Sequence, residues 1–257
     1  MCSLALQKPT ASRLALTWLA VFLLVSLVCY FFFTSLSYKF NWGTIAEFKH
    51  RNRLLMGWGM TILLSAAALV LSTVLGLVLM FGQRAPSLFV RCICRLYVEV
   101  IRGTPLLVQI LFIYYVVFEG IGLDDPFWSG VLIISGFAAA YLAEIFRAGI
   151  ESVPKSQIDS ARAIGLSTQQ TYVHVIFPQA IRQVLPAYAG QSATLIKDTS
   201  LLFVIAVSEF TFNARKVNSE TFSPFETFLP LAFGYLILTL PISWAARRLE
   251  DKMAFEK

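Results

Sequence analysis

The chain has 257 residues, 57% of them hydrophobic and only 14% charged, with a net charge of +6. Soluble globules carry about 25% charged residues, so a water-soluble fold does not suit this composition, whereas several apolar runs approach the ~20 residues that cross a bilayer as helix. The class is all-α polytopic membrane protein, and the positive balance fits anchoring against anionic lipid better than nucleic acid.

Lys8 and Arg13 precede an apolar run over 14–36 that is too long for a signal-peptide core and has no A-x-A site after it, so it reads as a retained anchor helix. Its aromatic end, Tyr30, Phe31, Phe32 and Phe33, and its few small residues predict a peripheral helix facing lipid. Residues 37–53 are polar enough to lie outside the bilayer, with Trp42, Phe48 and Trp58 suited to an interfacial belt. The second span, about 54–81, repeats small residues at Gly57, Thr61, Ser65, Ala68, Ser72 and Gly76. That spacing lets helix backbones approach closely in lipid, as a packing face within one bundle or as a dimer face or path lining.

Residues 83–103 carry Arg84, Arg91, Arg95 and Arg102 around an i+4 stripe of Leu88, Cys92, Leu96 and Val100. This is the pattern of an amphipathic segment at the membrane surface. A short third span, about 104–118, leads to an acidic turn with Glu119, Asp124 and Asp125, and a fourth runs over about 127–146. Glu144 and Arg147, three residues apart at its end, read as a structural pair or an interface.

Residues 154–178, PKSQIDSARAIGLSTQQTYVHVIFP, form a polar island between spans. Pro154 suits the first position of a helix, and Gly165 suits a left-handed stop after it. Ser167 with Gln170 is a capping box that starts a second short helix, which Pro178 would close. Two short helices joined at a glycine form a docking element. A fifth span is expected over about 184–207, a loop over 208–224 and a sixth span over 225–246, followed by a basic tail at 247–257. No internal repeat is present, which disfavours a secondary transporter built on two halves.

With 154–178 in the cytoplasm and six alternating spans, the inner segments hold 14 of the 21 Lys and Arg and the outer loops hold 6. The N-in, C-in orientation follows from that bias. The fifth span contains Gln191, Thr194, Lys197, Asp198, Thr199 and Ser200, with Lys197 about 18 Å along the axis from Leu185, near the bilayer centre. Each such charge costs roughly 2.5–3.5 kcal/mol at that depth. Lys197 and Asp198 point about 100° apart and cannot easily satisfy only each other, while Thr194 is placed to donate to Asp198. The cluster reads either as a buried structural pair using a partner helix or as the wall of a polar path, facing the bundle interior in both cases.

Asp159, Ser160 and Ala161, three residues, Gly165, nine residues and then the run ending at Pro178 resemble the EAA loop, E-A-A-x3-G-x9-I-x-L-P, of ABC-transporter permeases. Asp stands for Glu, Ser for the first Ala, Val for Ile and Phe for Leu. The run from Glu99 through Arg102, Gly103, Thr104 and Pro105 to Gln109 resembles the E-x-x-R-G-T-P-L-L-V-Q run of polar amino acid permeases. The stretches around Glu144 and Arg147, and from Leu195 through Lys197, Asp198, Thr199 and Ser200 to Leu201, resemble two further motifs of that group in the same order.

The resemblance implies a type I importer fold with a five-helix core over 54–246 and one helix added in front, in 1–53. It implies a second permease, two cytoplasmic ATPase subunits and an extracytoplasmic amino-acid-binding protein as partners, in a bacterial cytoplasmic membrane. It makes Asp159, Ser160, Ala161, Gly165, Leu166 and Ser167 the part of the loop that docks on the ATPase. No G-x-x-x-x-G-K-[ST] run occurs, so ATP with its Mg is expected on the partner and no enzymatic activity or cofactor on this chain. Four cysteines without metal-ligand spacing and two histidines predict no metal site. A DNA-binding helix-turn-helix reading of the loop fails because its second helix is apolar and neutral. The identity of the solute is not readable from these residues.

Overall fold

The computed structural model describes residues 11–35, 38 and 40–254. Cys2, Lys8, Ser37, Lys39 and Lys257, together with the side chains of Arg13, Cys29, Phe32, Phe33, Phe48 and Lys252, lie outside the described residues. The chain divides into two compact units, with the division after Asn41. The first contains α1, Ala11–Ser35, whose described apolar side chains, Tyr30 and Phe31 among them, are exposed as in a helix that meets lipid.

The second unit begins with α2, Gly43–Ala46, and α3, Phe48–Gly82. The predicted second span therefore starts six residues earlier than expected, because Lys49, His50 and Arg53 are held by Glu220 rather than left in a solvated loop. Next come α4, Leu88–Gly103, and α5, Leu106–Phe112, extended by a π-helical turn to Phe118. These two segments meet at a 110° bend, so α4 and α5 do not form one straight helix. The stripe of Leu88, Cys92, Leu96 and Val100 is exposed, while Val98 is buried against the bundle.

Asp125 caps α6, Pro126–Glu151, by accepting from the Trp128 amide at 2.8 Å. Helix α7, Lys155–Ala163, and α8, Thr168–Thr171, follow. Then α9, Phe177–Asp198, continues as a 3-10 turn over Thr199–Ile205. The expected loop after it contains a helix, α10, Phe210–Thr221, and the last helix, α11, Pro224–Ala254, absorbs most of the expected tail. Among the described residues three helices, α3, α6 and α11, are long and apolar enough to cross a membrane, and the bent α4–α5 pair passes only when taken together. Helix α9 has the length, with 22 residues, but its polar residues lower its hydropathy.

Helices α3 and α6 form the central pair, with α9 packed on both. The small-residue stripe of α3 is the seam: Thr61, Ala68 and Ser72 are fully buried. A Cβ on Gly76 would stand 2.9 Å from the Leu142 Cβ and 3.3 Å from the Ala139 carbonyl. The packing-face reading of that stripe is the one the bundle uses, because association in lipid relies on close van der Waals contact. Leu64, Ile110, Ile134, Leu195 and Leu202 fill the core between these helices.

Candidate functional site

Local signals dictate the loop between α6 and α9. Pro154 occupies the N-cap of α7, one position before the expected first helical residue, with φ −59° and ψ 136°. At the other end the Leu166 amide donates to the Ala161 carbonyl at 3.1 Å and the Gly165 amide to the Arg162 carbonyl at 2.9 Å. This bond pair is a Schellman close, and it requires the left-handed backbone that Gly165 supplies at φ +86°. Ser167 then caps α8 with both bonds of the capping box, Gln170 amide to Ser167 Oγ at 3.3 Å and Ser167 amide to Gln170 Oε1 at 2.9 Å.

Pro178 does not close the second short helix. The backbone widens to a π-helical turn over Tyr172–Ile176, and Pro178 sits in the first turn of α9. The wider turn accommodates a residue that lacks an amide and crowds the carbonyl four residues back. The chain is thus helical without interruption from Thr168 to Ile205. Asp159, Ser160, Gly165 and Ser167 are exposed, Leu166 is half-buried and Ala161 is buried. Sequence reasoning passed over Ile164, which stands 78% exposed beside the glycine, with Tyr172 and Val173 also exposed nearby. An isoleucine inside a polar island was the available signal.

The 99–109 motif builds the corner between α4 and α5. Gln109 is buried, and its Nε2 lies 2.8 Å from the Ile101 carbonyl, 3.1 Å from the Thr104 carbonyl and 2.7 Å from Thr104 Oγ1. Thr104 Oγ1 also donates to the Val100 carbonyl at 2.8 Å. The amide thereby satisfies carbonyls that the helix end leaves open, while Pro105 prevents α4 from continuing.

Behind the corner Arg147 grips Glu144 through Nε at 3.1 Å and Nη2 at 2.7 Å, and reaches Glu151 at 2.6 Å. Arg102 reaches Glu144 at 3.3 Å and Arg84 reaches Glu151 at 3.1 Å. Glu144 and Arg147 are therefore a bidentate pair inside a network joining α4 and α6 to the turn after α3. Arg95 and Glu99 line the same polar cleft, of about 320 Å³.

The polar cluster on α9 is arranged differently from its expected form. Thr199 is buried, Gln191, Thr194, Asp198 and Ser200 are half-buried, and Lys197 is exposed, turned away from this chain's bundle. Thr194 donates to the Gly190 carbonyl at 3.2 Å and not to Asp198. Neither Lys197 nor Asp198 forms an ion pair among the described residues of this chain. The 100° step between neighbours sets Lys197 off the face that Thr199 and Leu195 bury. Tyr188 and Thr73 link α9 to α3 through a hydroxyl contact of 2.9 Å. The loop and the cluster do not touch; about 30 Å of helix connects Pro178 to Lys197.

Among the described residues no group of three or more His, Cys, Asp or Glu is placed to hold a metal ion.

The family described as binding-protein-dependent transport system inner membrane component matches residues 72–255. The glutamine transport system permease protein GlnP of Escherichia coli (strain K12) is 35% identical over 218 residues, covering 84% of this chain and 98% of that one. The nopaline transport system permease protein NocM of Agrobacterium fabrum is 35% identical over 201 residues, covering 74% and 83% of the two chains. The crystal structure of an amino acid ABC transporter with histidines superposes with a TM-score of 0.77 at 29% identity, covering 84% of this chain and all of that one. The inward-facing MetNI methionine ABC transporter, 17% identical with a TM-score of 0.63, shares the fold. The chain therefore belongs to the family of inner membrane components of binding-protein-dependent transport systems and has the type I permease fold.

Proposed function

We propose that this chain is the membrane permease of an ATP-driven importer of polar amino acids, coupled through residues 154–178 to a dimer of cytoplasmic ATPase subunits. The observation that carries the reading is the loop itself, two short helices locked by a Schellman close and a capping box, with Ile164 exposed beside the lock. An exposed apolar side chain on a pre-organised element is what a partner cleft selects. Asp159, Ser160, Ala161, Gly165, Leu166 and Ser167 form the docking part, and Pro178 starts the helix that leaves it. The relatives' glutamine and nopaline transport supports an amino acid or a close derivative as solute.

In this reading the chain enters and leaves on the cytoplasmic side of a bacterial inner membrane. The unit up to Asn41 adds one helix, and the unit from Trp42 onward forms the transport domain, with α11 running through most of the basic tail. A second permease, the same chain or a sister, completes the path, and an extracytoplasmic binding protein delivers the solute. ATP and Mg bind the ATPase, and this polypeptide performs no catalysis. Lys197, Asp198, Thr199 and Ser200, with Gln191 and Thr194, line the path where two permeases meet, which gives the exposed Lys197 a use at membrane depth. Because the chain is helical from Thr168 to Ile205, a displacement of α8 by the ATPase reaches that cluster along one rod.

The test is to replace Ile164 with Glu in the full chain and co-express it with its ATPase. The expected result is normal membrane insertion with loss of co-purifying ATPase. Undiminished co-purification would remove the loop from the coupling role.

A further inference from the structure

Helix α10 has two faces. Phe210, Asn213, Ala214 and Val217 are buried where the helix packs on α3 and α11, while Arg215, Lys216 and Ser219 are exposed on the other side. Phe203 and Val204 of the 3-10 turn, with Phe212, face these residues across an open cleft of about 570 Å³. The Arg215 guanidinium rests 4.2 Å from the centroid of the Phe203 ring, which fixes the cation at the wall of the cleft.

No carboxylate lines the cleft, and neither Arg215 nor Lys216 forms an ion pair among the described residues. The carboxylates of the neighbourhood are engaged elsewhere. Glu220 holds Arg53 at 2.6 Å and Lys49 at 3.3 Å, and Glu209 is buried with its oxygens on the Thr211 and Phe212 amides. The cleft is thus a concave surface with two uncompensated cations and an apolar wall, a combination that concentrates small anions. Phe203 and Val204 also lie only a few residues beyond Ser200 on the same helical run as the α9 cluster.

We infer that this cleft is the entry vestibule of the permease, in which Arg215 and Lys216 receive the carboxylate of the incoming amino acid before it passes down the run toward Ser200 and Lys197. Charge-assisted hydrogen bonds hold the carboxylate, and the Phe203 and Phe212 rings take the aliphatic part of the solute. The inference rests on the importer reading, with the α10 end of the bundle outside the cell.

The full complex, with its ATPase and binding protein, is reconstituted into vesicles, and uptake of radiolabelled glutamine is compared for the native chain and an Arg215→Ala, Lys216→Ala double variant. If the native complex takes up no polar amino acid, the importer reading fails and the vestibule is refuted with it. Given native uptake, the double variant is expected to lose roughly three- to tenfold in uptake at 50 mM salt, with the gap narrowing at 500 mM. The binding-protein concentration that half-maximally stimulates ATP hydrolysis is expected to stay as in the native complex. An Arg215→Lys, Lys216→Arg variant, which keeps both charges, is expected to restore most of the uptake. Equal uptake by the native and double-alanine complexes overturns the inference. So does a rise in the half-stimulating concentration, which assigns the two cations to an acidic surface of the binding protein instead.

Discussion

Replacing Gly165 separates a backbone requirement from a contact requirement, because a Cβ there meets nothing within 4 Å while φ is +86°. An alanine costs only the left-handed backbone, about 1–2 kcal/mol. Asparagine tolerates that region and costs less, and a β-branched valine costs more. One to two kcal/mol is a factor of roughly 5–30 in the population of the closed turn. If the ATPase reads this geometry, its apparent affinity falls by up to the same factor. Titrating purified ATPase against the permease in nanodiscs reads that shift directly. The expected order of affinity is Gly, Asn, Ala, Val, with Asn within about threefold of native. An Asn variant as weak as Val would show that side-chain volume and not φ governs docking, and an Ala variant equal to native would refute the role of the turn.

Gly76→Val drives a branched side chain into Leu142 and the Ala139 carbonyl, and a loss of about 1–3 kcal/mol is expected, read as a lowered melting temperature in detergent. Glu209 is fully buried and accepts from the Thr211 and Phe212 amides and from Tyr235 Oη at 2.9 Å. Glu209→Ala strands these donors and is expected to cost about 3–5 kcal/mol in the same assay, while the isosteric Glu209→Gln costs less than half of that. The Arg53 guanidinium, with Lys49 beside it, holds the Glu220 carboxyl below the usual carboxylate range. A group whose folded pKa is depressed adds stability above its unfolded value and loses it as pH falls through the folded one. The melting temperature of Glu220→Gln is therefore expected to trail the native chain at pH 7 and to converge with it only as pH falls below the ordinary glutamate value and through the depressed folded one.

The loop was legible in the sequence because its determinants are local. Proline, glycine and the Ser167–Gln170 box each act within one turn, and all three fold as their chemistry dictates, with Pro154 displaced by one position. The α3 seam was legible for a similar reason, since a four-residue period of small side chains has few uses in lipid. Helix α10 was missed because its helicity depends on tertiary burial. Its residues are polar on average, yet Phe210, Asn213, Ala214 and Val217 fall at i, i+3, i+4 and i+7, and Glu209 precedes them as a cap. That periodicity was the signal. Pro178 was misread because a proline stops an α-helix but not one that widens first into a π-helical turn. The facing of Lys197 was not deducible, because the side of α9 that meets the bundle is fixed by Leu195 and Thr199 packing into a core assembled from distant segments.

ATP-driven import of a polar amino acid through this chain is read out by sealed vesicles holding the full complex. Glutamine and the binding protein are placed on one face and MgATP on the face that binds the ATPase, and accumulation is followed against a rising internal concentration. The expected result is uphill accumulation that requires both MgATP and the binding protein. Accumulation that persists without nucleotide and collapses with the proton or sodium gradient would contradict it.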